Sequence, residues 1–260
     1  MSKIELSVIM PALNEENNIS DAVLSTLKAL SDKKINGEII VVNDGSTDQT
    51  EALVKNIIKN NANVRLINHI KPHGIGHSFL DGVKSASGDI VVMFPGDNEN
   101  DPDDALLYIG LMKELDIIIP FVQNTEVRNR IRRLISSIYR FIVNMSFGIN
   151  LNYTNGTVFY RRSILNNLQI NSTGFFYQAE LLIKLIRKGY LYAEVPNFIY
   201  KRNNGKSKAV GLKSLMNVMK NYLLLVYNIH ILRVESQKRY RYLVETSVSY
   251  KKYDLIKRGE

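Results

Sequence analysis

The chain has 260 residues, of which 45% are hydrophobic and 23% are charged, and its formal net charge is +9. This length and composition are typical of a globular chain with one main domain and not of a disordered one. The absence of cysteine excludes disulfides and cysteine-ligated zinc, while the positive charge indicates an anionic partner. The sequence contains no run of about 18 apolar residues that predicts a membrane span, and the first ten residues lack the apolar run of a signal peptide.

The first part of the chain alternates predicted strands with predicted helices. Short apolar, partly β-branched runs predict buried strands at 4–10, 38–42, 64–67 and 90–94. The first helix carries an apolar face that consists of Ile19, Val23, Leu27 and Leu30. Ser46 and Gln49 have capping-box spacing for the second helix. This alternation predicts an α/β fold with a mostly parallel sheet flanked by helices.

Polar loops follow three of these strands, in the segments 11–15, 44–46 and 97–99. Because parallel strands end at the same edge of a sheet, we expect the three loops to face one another across one crevice. Taken singly, Asp44 is more typical of a turn and Glu15 of a helix start. Together, the carboxylates favour a site for a nucleotide and a divalent cation, since they accept hydrogen bonds and provide hard oxygen ligands.

The segment from Asp89 to Asp104 carries the densest group of acidic residues. A buried strand ends at Pro95-Gly96, and the run from Asp97 to Asp101 follows directly. Pro102 stands where proline is favoured in the first turn of a helix, with Asp101 as its N-cap. Two interpretations stay open from these residues alone, namely a solvated acidic turn and a metal or ligand site at the end of a strand.

The loop from Lys71 to Gly76 contains Gly74 and Gly76, but the residues after them do not fit a dinucleotide-binding GxGxxG pattern. His73 and His77 are more typical of ordinary loop histidines than of metal ligands. We therefore assign no ligand to this loop from the sequence.

Four segments resemble the motifs of family 2 glycosyltransferases: VIMPALNEENNI, IIVVNDGSTDQT, the Gly74 loop and GDIVVMFPGDNEND. Later segments are similar to the polyprenyl-phosphate sugar transferase branch of that family, at 153–162, 174–180, 189–196 and 202–208. The resemblance covers about residues 4 to 210. It implies a GT-A (Rossmann-like) domain at 1–210, followed by a basic, helical extension at 211–260 with amphipathic C-terminal helices.

The resemblance also implies the residues of the donor site. Those assigned to the nucleotide of a UDP- or GDP-sugar are Pro11, Asn14, Glu15, Asp44 and Asp97. Asp44 is expected to hydrogen-bond the base, whereas the first three line the base and ribose.

The expected cofactor is Mg²⁺ or Mn²⁺, held by Asp97, Glu99 and Asp101, with Asp97 and Glu99 as the catalytic pair. Two departures from the family pattern occur here. Glu99 replaces the second Asp of the family motif, and Asp101 stands where the branch usually has Gln. These changes bear on metal choice and on the strength of metal binding.

A predicted amphipathic helix at 127–145 bears on the acceptor. Its apolar stripe consists of Val127, Ile131, Leu134, Ile135, Ile138, Ile142 and Met145. Arginines surround the stripe, so the helix fits either a core-facing position with a solvated basic face or an interfacial position on anionic headgroups. The residues assigned to the acceptor or to phosphates are Arg128, Arg132, Arg202 and Lys208. Ser137 and Asn152-Tyr153 depart from the branch pattern and weaken the acceptor assignment.

The resemblance implies an inverting, metal-dependent enzyme that moves a sugar from a nucleoside-diphosphate sugar to a polyprenyl phosphate. It would be cytoplasmic and peripheral on the inner face of the membrane. A phosphate acceptor is already ionised, whereas a hydroxyl acceptor needs a general base. Glu180 is the one candidate base, and its position is more typical of ordering the loop around Gly174.

Two alternatives remain open. One keeps the donor chemistry but uses a saccharide or another soluble acceptor, and the other is a catalytically inactive nucleotide-sugar-binding protein. Nucleic acid is not an expected partner, because the sequence contains no recognition motif for it.

Overall fold

The computed structural model describes residues 3–124, 130–166, 168–197, 212–233 and 243–259. The chain forms two compact units. The first comprises Met1–Ile109 with Thr157–Arg162, and the second comprises Gly110–Gly156 with Ser163–Glu260. The boundary predicted between residues 210 and 211 lies outside the described residues.

The strands, in chain order, are β1 (Leu6–Ala12), β2 (Gly37–Asn43), β3 (Val64–Asn68), β4 (Ile90–Met93), β5 (Ile117–Val122), β6 (Phe159–Arg161) and β7 (Tyr192–Asn197). The strands of the first unit are ordered β3-β2-β1-β4-β6. All pair in parallel except β6, which runs antiparallel to β4. β1 and β2 are buried along their whole length, as expected of central strands covered on both faces. The predicted mostly parallel α/β sheet is confirmed.

The α-helices, in chain order, are α1 (Ile19–Asp32), α2 (Thr50–Ile58), α3 (Ile75–Ser85), α4 (Pro102–Ala105), α5 (Arg130–Phe147), α6 (Tyr177–Lys188), α7 (Leu212–Val226) and α8 (Val248–Arg258). A 3-10 helix, Leu106–Lys113, continues α4, and a π-helical turn, Tyr227–Ile231, ends α7. The predicted cap of α4 is confirmed, because the Asp101 carboxylate accepts the amide of Asp103 at 2.9 Å.

Two local predictions are wrong. The capping box at Ser46 does not form, because α2 begins at Thr50 and the Asp48 carboxylate accepts the Thr50 amide at 3.0 Å. The first strand, predicted at 4–10, runs instead from Leu6 to Ala12 and includes Pro11. Proline lacks only the donor, and its carbonyl still accepts the amide of Gly96 at 3.0 Å.

The second unit is built on an apolar cluster that three helices share. Its buried members are Val143 and Phe147 on α5, Phe176 just before α6, Ala179 and Ile183 on α6, Leu225 on α7 and Ile229 in the π-helical turn. β5 and β7 pair in parallel in the same unit. Among the residues that the structure describes, none of the helices combines the length and hydropathy needed to span a bilayer.

The buried Asp116 holds the basic helix α8 in place. Its carboxylate accepts the amide of Val248 at 2.8 Å and the amide of Ser249 at 2.9 Å, and it also accepts the Ser249 hydroxyl. The Ser247 hydroxyl caps the same helix by accepting the Tyr250 amide at 3.1 Å. The first turn of α8 therefore belongs to the packed part of the second unit.

Candidate active site

The loop after β1 and the loop after β2 are joined by reciprocal hydrogen bonds. The amide of Asn14 donates to the Ser46 hydroxyl at 2.9 Å, and the Asn14 side-chain oxygen accepts the amide of Thr47 at 2.8 Å. The amide of Glu15 donates to the Thr50 hydroxyl at 2.9 Å. Asn14 adopts a left-handed conformation (φ 55°), which asparagine tolerates better than most residues. The two loops therefore fix each other's backbone.

Asp44 joins the β2 loop to the loop after β3. Its Oδ1 accepts the amide of His73 at 2.9 Å and lies 2.8 Å from Nδ1 of His69, while its Oδ2 accepts the amide of Gly74 at 2.8 Å. Burial by itself raises the pKa of Asp44, but these hydrogen bonds and the charge of His69 outweigh it and hold the pKa below its usual value. A carboxylate can accept about four hydrogen bonds, so these three leave capacity for one from a ligand.

Gly45 allows the same two loops to approach closely. Its φ is +75°, and a Cβ built on it would lie 2.7 Å from the carbonyl carbon of Lys71 and 2.8 Å from the nitrogen of Pro72. A side chain at this position would therefore push the β3 loop away from Asp44.

The loop after β4 meets the end of β1. The Gly96 amide donates to the Pro11 carbonyl at 3.0 Å, and a Cβ on Gly96 would lie 2.9 Å from Cδ1 of Ile19. Asp97, the next residue, therefore lies at the carboxyl end of β1. The structure brings together at one edge of the sheet the three polar loops that the sequence placed there, together with the β3 loop.

The acidic residues after Gly96 form a tight turn. Oδ1 of Asp97 accepts the amide of Glu99 at 3.2 Å, and Asn98 between them has a positive φ of 56°. One carboxylate oxygen of Asp101 caps α4. Within the described part of the chain, no three His, Asp or Glu side chains form a group that could hold a metal ion.

This turn fits a cation that its substrate helps to hold. Mg²⁺ is usually bound through one or two carboxylates together with substrate phosphates, not by a cage made of protein ligands alone. Asp97 is half-buried and Glu99 is exposed, so a bound diphosphate would have access to both. The donor set suits Mg²⁺ or Mn²⁺, and the assignment of Asp97, Glu99 and Asp101 as ligands stays a prediction.

Three histidines lie beside this site, although no motif in the sequence marks them as part of it. The ring centroids of His69 and His73 are 5.1 Å apart, those of His73 and His77 are 4.8 Å apart, and those of His69 and His77 are 5.7 Å apart. The signal in the sequence was the four-residue spacing, together with the position of His69 directly after β3.

Helix α5 has two apolar faces. Val143 and Phe147 are buried, and burial raises the pKa of Tyr139 to about 12 despite a hydrogen bond with Thr154. The stripe predicted from the sequence lies on the other face and is 42–72% exposed, with Phe141 as an additional member: Ile131, Leu134, Ile135, Ile138, Phe141, Ile142 and Met145. The core-facing interpretation is therefore wrong for this stripe, and Val127 lies outside the described residues.

The structure does not test the assignment of four cationic residues to the acceptor or to phosphates. Arg128, Arg202 and Lys208 lie outside the described residues, and Arg132 lies in α5 with its side chain outside the description. Arg130 and Arg140 of the same helix are exposed.

The candidate base, Glu180, orders a loop. Its two carboxylate oxygens accept the amides of Asn171 at 3.1 Å and Ser172 at 3.0 Å, and Nζ of Lys184 lies 2.9 Å from Oε1. The side chain is 2% exposed. A carboxylate held this way is poorly placed for proton transfer, which agrees with the loop-ordering interpretation of Glu180.

Comparisons with known proteins identify relatives over much of the chain. The glycosyl transferase family 2 model matches residues 7–169. The chain is 24% identical over 174 residues to dodecaprenyl-phosphate galacturonate synthase of Rhizobium johnstonii. The aligned region covers 65% of this chain and 52% of that protein. It is 33% identical over 108 residues to a dolichyl-phosphate beta-glucosyltransferase of Trichomonas vaginalis, which covers 40% of this chain and 33% of that protein. The chain thus spans about half or less of the length of these curated relatives.

Solved structures of glucosyl-3-phosphoglycerate synthase from Mycobacterium tuberculosis have a similar fold. The complex with Mg²⁺ and UDP has a TM-score of 0.66 at 22% identity, over 85% of this chain and 79% of that one. The complex with Mn²⁺, UDP-glucose and phosphoglyceric acid has a TM-score of 0.65 at 22% identity, over the same shares. These likenesses confirm the expected GT-A fold. With the family match over residues 7–169, the chain belongs to glycosyl transferase family 2, and its relatives include polyprenyl-phosphate sugar transferases.

Proposed function

We propose that this chain transfers a sugar from a nucleoside-diphosphate sugar to a polyprenyl phosphate at a membrane surface, with inversion at the anomeric carbon. The outward apolar stripe of α5 is the observation that carries the acceptor half of the proposal. Two relatives named for dodecaprenyl and dolichyl phosphates support the same acceptor class. In this proposal residues 1–210 form the transferase domain, residues 211–260 form a basic helical extension, and the enzyme is peripheral on the cytoplasmic face.

The first unit supplies the donor site in this proposal. Pro11, Asn14 and Glu15 line the base and ribose of UDP or GDP, and Asp44 accepts a hydrogen bond from the base. The hydrogen bonds between the β1 and β2 loops support this assignment, because they hold the loops in place before the nucleotide arrives. A site organised in this way loses less conformational entropy on binding.

Asp97, Glu99 and Asp101 would hold Mg²⁺ or Mn²⁺ against the diphosphate. A bound divalent cation stabilises the negative charge that grows on the leaving diphosphate. The Asp97–Glu99 turn supports this role, since the Asp97 carboxylate fixes the backbone of Glu99. Asp97 would also contact the nucleotide.

In the proposed reaction an acceptor phosphate oxygen bonds to the anomeric carbon while the bond from that carbon to the diphosphate breaks. The electron pair of the broken bond leaves with the nucleoside diphosphate. The acceptor oxygen is already ionised, so no general base is required. The engagement of Glu180 with two backbone amides and Lys184 agrees with a mechanism that uses no carboxylate base. Arg128, Arg132, Arg202 and Lys208 are proposed to bind the phosphates.

Helices α5 and α7 would together form the membrane-facing surface. Helix α7 and its π-helical turn expose an apolar row of their own: Leu215, Met216, Met219, Leu223, Leu224, Tyr227 and Ile231. α7 is tied to α5 because the Tyr222 and Ser146 hydroxyls are 2.6 Å apart and because the two helices share the apolar cluster of the second unit. Neither helix contains Asp or Glu, and α5 contains four arginines. Apolar rows with cationic flanks and no acids suit an anionic bilayer.

The donor half is tested by calorimetry with UDP and GDP in the presence of Mg²⁺. Asp44→Ala should weaken binding by about 1.5–3 kcal/mol, which is the range for a hydrogen bond to a charged group. Equal affinity in the variant would leave Asp44 with a loop-organising role only. The acceptor half is tested by sedimentation with anionic vesicles, where the intact protein is expected in the pellet at low salt and in the supernatant at high salt.

Two alternatives are outcomes of the same experiments. If the protein does not bind vesicles but transfers sugar to a saccharide or to a small phosphorylated acceptor, the result favours a soluble acceptor. The complexes of the Mycobacterium tuberculosis synthase with phosphoglyceric acid make that class worth including. A protein that binds the nucleotide sugar but neither transfers nor hydrolyses it would be an inactive binding protein.

A further inference from the structure

His69 lies between two carboxylates. Its Nδ1 is 2.8 Å from Oδ1 of Asp44, and its Nε2 is 3.4 Å from Oδ2 of Asp81. The side chain is 10% exposed, and the His69 amide donates to the Asn43 carbonyl at 2.9 Å. The backbone and both ring nitrogens of His69 therefore face fixed partners in the first unit.

The charged groups around this ring come from three elements. Asp44 follows β2, His73 lies in the loop after β3, and His77 and Asp81 belong to α3. Asp81 is shared, since its Oδ2 lies 3.0 Å from Nε2 of His77 and its Oδ1 lies 2.7 Å from Nζ of Lys84. Burial opposes ionisation of Asp81, but Lys84 and the two histidines outweigh it and hold the pKa of Asp81 below its usual value.

The geometry distinguishes the two charge states of the ring. A neutral imidazole has one N–H donor and one lone pair, whereas an imidazolium has two donors. Only the imidazolium presents an N–H to Asp44 and to Asp81 at the same time, hydrogen-bonding Asp44 and forming a longer, 3.4 Å ion pair with Asp81. A neutral ring directs a lone pair at one of the two carboxylates, which weakens its hold on one side.

We propose that His69 is a positioning residue for Asp44, and that protonation of His69 strengthens the binding of nucleoside diphosphates. This inference rests on the proposed role of Asp44 in the donor site. The protonated ring holds Asp44 from one side, while the amides of His73 and Gly74 hold it from the other. The carboxylate is then oriented before the nucleotide binds, and less of the binding free energy is lost in ordering it. A neutral ring holds Asp44 less firmly, so the protein with neutral His69 should bind the nucleotide less tightly.

The test is calorimetry with UDP and GDP in Mg²⁺ between about pH 5.5 and pH 8.5. His69→Ala removes both contacts and should weaken binding by about ten- to hundredfold at the lower pH. His69→Asn retains a neutral N–H donor in place of Nδ1, so it should recover much of the affinity. Because asparagine does not ionise, residue 69 no longer contributes to the pH dependence of binding in this variant. His77→Asn is the matched control, because His77 also contacts Asp81 but does not contact Asp44.

The decisive quantity is the change of affinity with pH relative to His69→Asn, because the nucleotide's own phosphate ionises equally in every experiment. Wild type and His77→Asn should lose affinity with rising pH relative to His69→Asn. Equal pH profiles in wild type and His69→Asn would overturn the inference, even if His69→Ala does not fold. Wild type that binds neither nucleotide would overturn the proposed donor site, and this inference with it. Wild type that binds and an unaffected His69→Ala would overturn only the role of His69.

Discussion

Oδ2 of Asp44 accepts the backbone amide of Gly74 at 2.8 Å, and Gly74 is the N-cap of α3. The carboxylate therefore lies at the positive end of that helix, where a negative charge is stabilised. This single bond ties the end of β2 to the start of α3. It explains how one residue both closes a loop and contributes to the edge where the polar loops meet.

Gly45 should be intolerant of any side chain. Gly45→Ala forces alanine into a left-handed conformation and a Cβ to within 2.7 Å of the Lys71 backbone, so we expect about 1–3 kcal/mol less free energy of unfolding. Gly110→Ala is the control, since its Cβ meets nothing within 4 Å and its φ is not in the left-handed region. Urea unfolding of both variants measures the difference. Equal stabilities would show that the β3 loop moves away without cost.

The strands and the polar loops at their ends could be predicted because local signals define them. Buried β-branched runs specify β1, β2 and β4, and Asp44-Gly45 and Pro95-Gly96 follow the ends of β2 and β4. The capping box at Ser46 failed because the partner of Ser46 is Asn14, which lies 32 residues away. The role of His69 was missed for a similar reason, since Asp44 is 25 residues away from it.

The two-sided nature of α5 also lay beyond sequence reasoning. Periodicity detects an apolar stripe but does not say whether the stripe faces a core or the outside. The partly buried Tyr139 and the buried Val143 and Phe147 form a second, narrower row four residues apart, and the structure assigns the core to that row. The exposure of Ile131 and Phe141 follows from that choice.

Asp97→Asn should abolish most of the transfer while preserving the fold. The variant removes a negative charge from the proposed metal site, so we expect the rate to fall by about two orders of magnitude or more. A thermal shift that requires both UDP and Mg²⁺ should disappear as well. Asp103→Asn is the control, because it changes an exposed acid close by that the proposal does not assign to the metal. Transfer by Asp97→Asn at the wild-type rate without metal would contradict the assignment.

Glu38 should make the protein sensitive to acid. Burial raises the pKa of Glu38, but hydrogen bonds from Ser7, Ser87 and Arg65, together with the charge of Arg65, outweigh it and hold the pKa below its usual value. A carboxylate with a lowered pKa in the folded state contributes stability above its unfolded pKa and loses it as pH falls. The free energy of unfolding should therefore decline from about pH 5 to about pH 3.

Glu38→Gln tests this acid sensitivity. The variant should be less stable than wild type at pH 7 and should lose less stability on acidification. Glu5→Gln, at an exposed glutamate of the same unit, should keep the wild-type profile. Denaturant unfolding at several pH values measures both variants, and a Glu38→Gln profile parallel to that of wild type would rule out this origin of the acid sensitivity.

The outward face of α5 should be needed for membrane binding but not for folding. Ile138 and Phe141 are 51% and 66% exposed, so replacing both with Gln should change the free energy of unfolding by no more than about 0.5 kcal/mol. The affinity for anionic vesicles should fall about tenfold or more, because two apolar side chains no longer enter the bilayer interface. Leu24→Gln removes an apolar side chain of similar exposure, 51%, from α1 and should leave vesicle binding unchanged. If the double variant binds vesicles as tightly as wild type, this face of α5 does not contribute to membrane binding.

The arginines in and just before α5 should strengthen binding to anionic vesicles through their charge. Each one near an anionic surface adds about 1 kcal/mol, so replacing Arg128, Arg132 and Arg133 with Gln should lower vesicle affinity by about two orders of magnitude. Neutral vesicles provide the control, since the loss should be small on them. A similar loss on neutral and anionic vesicles would show that the variant had disturbed the helix instead of its charge.

We propose that the donor site in the first unit serves a lipid phosphate acceptor. The most direct measurement is sugar transfer from UDP- and GDP-sugars, with Mg²⁺ or Mn²⁺, to a polyprenyl phosphate in anionic vesicles, with saccharides and small phosphorylated acids assayed in parallel. We expect metal-dependent formation of a polyprenyl-phosphate sugar, inverted at the anomeric carbon, and little or no transfer to the soluble acceptors. Transfer to a soluble acceptor, with none to the lipid, would contradict it.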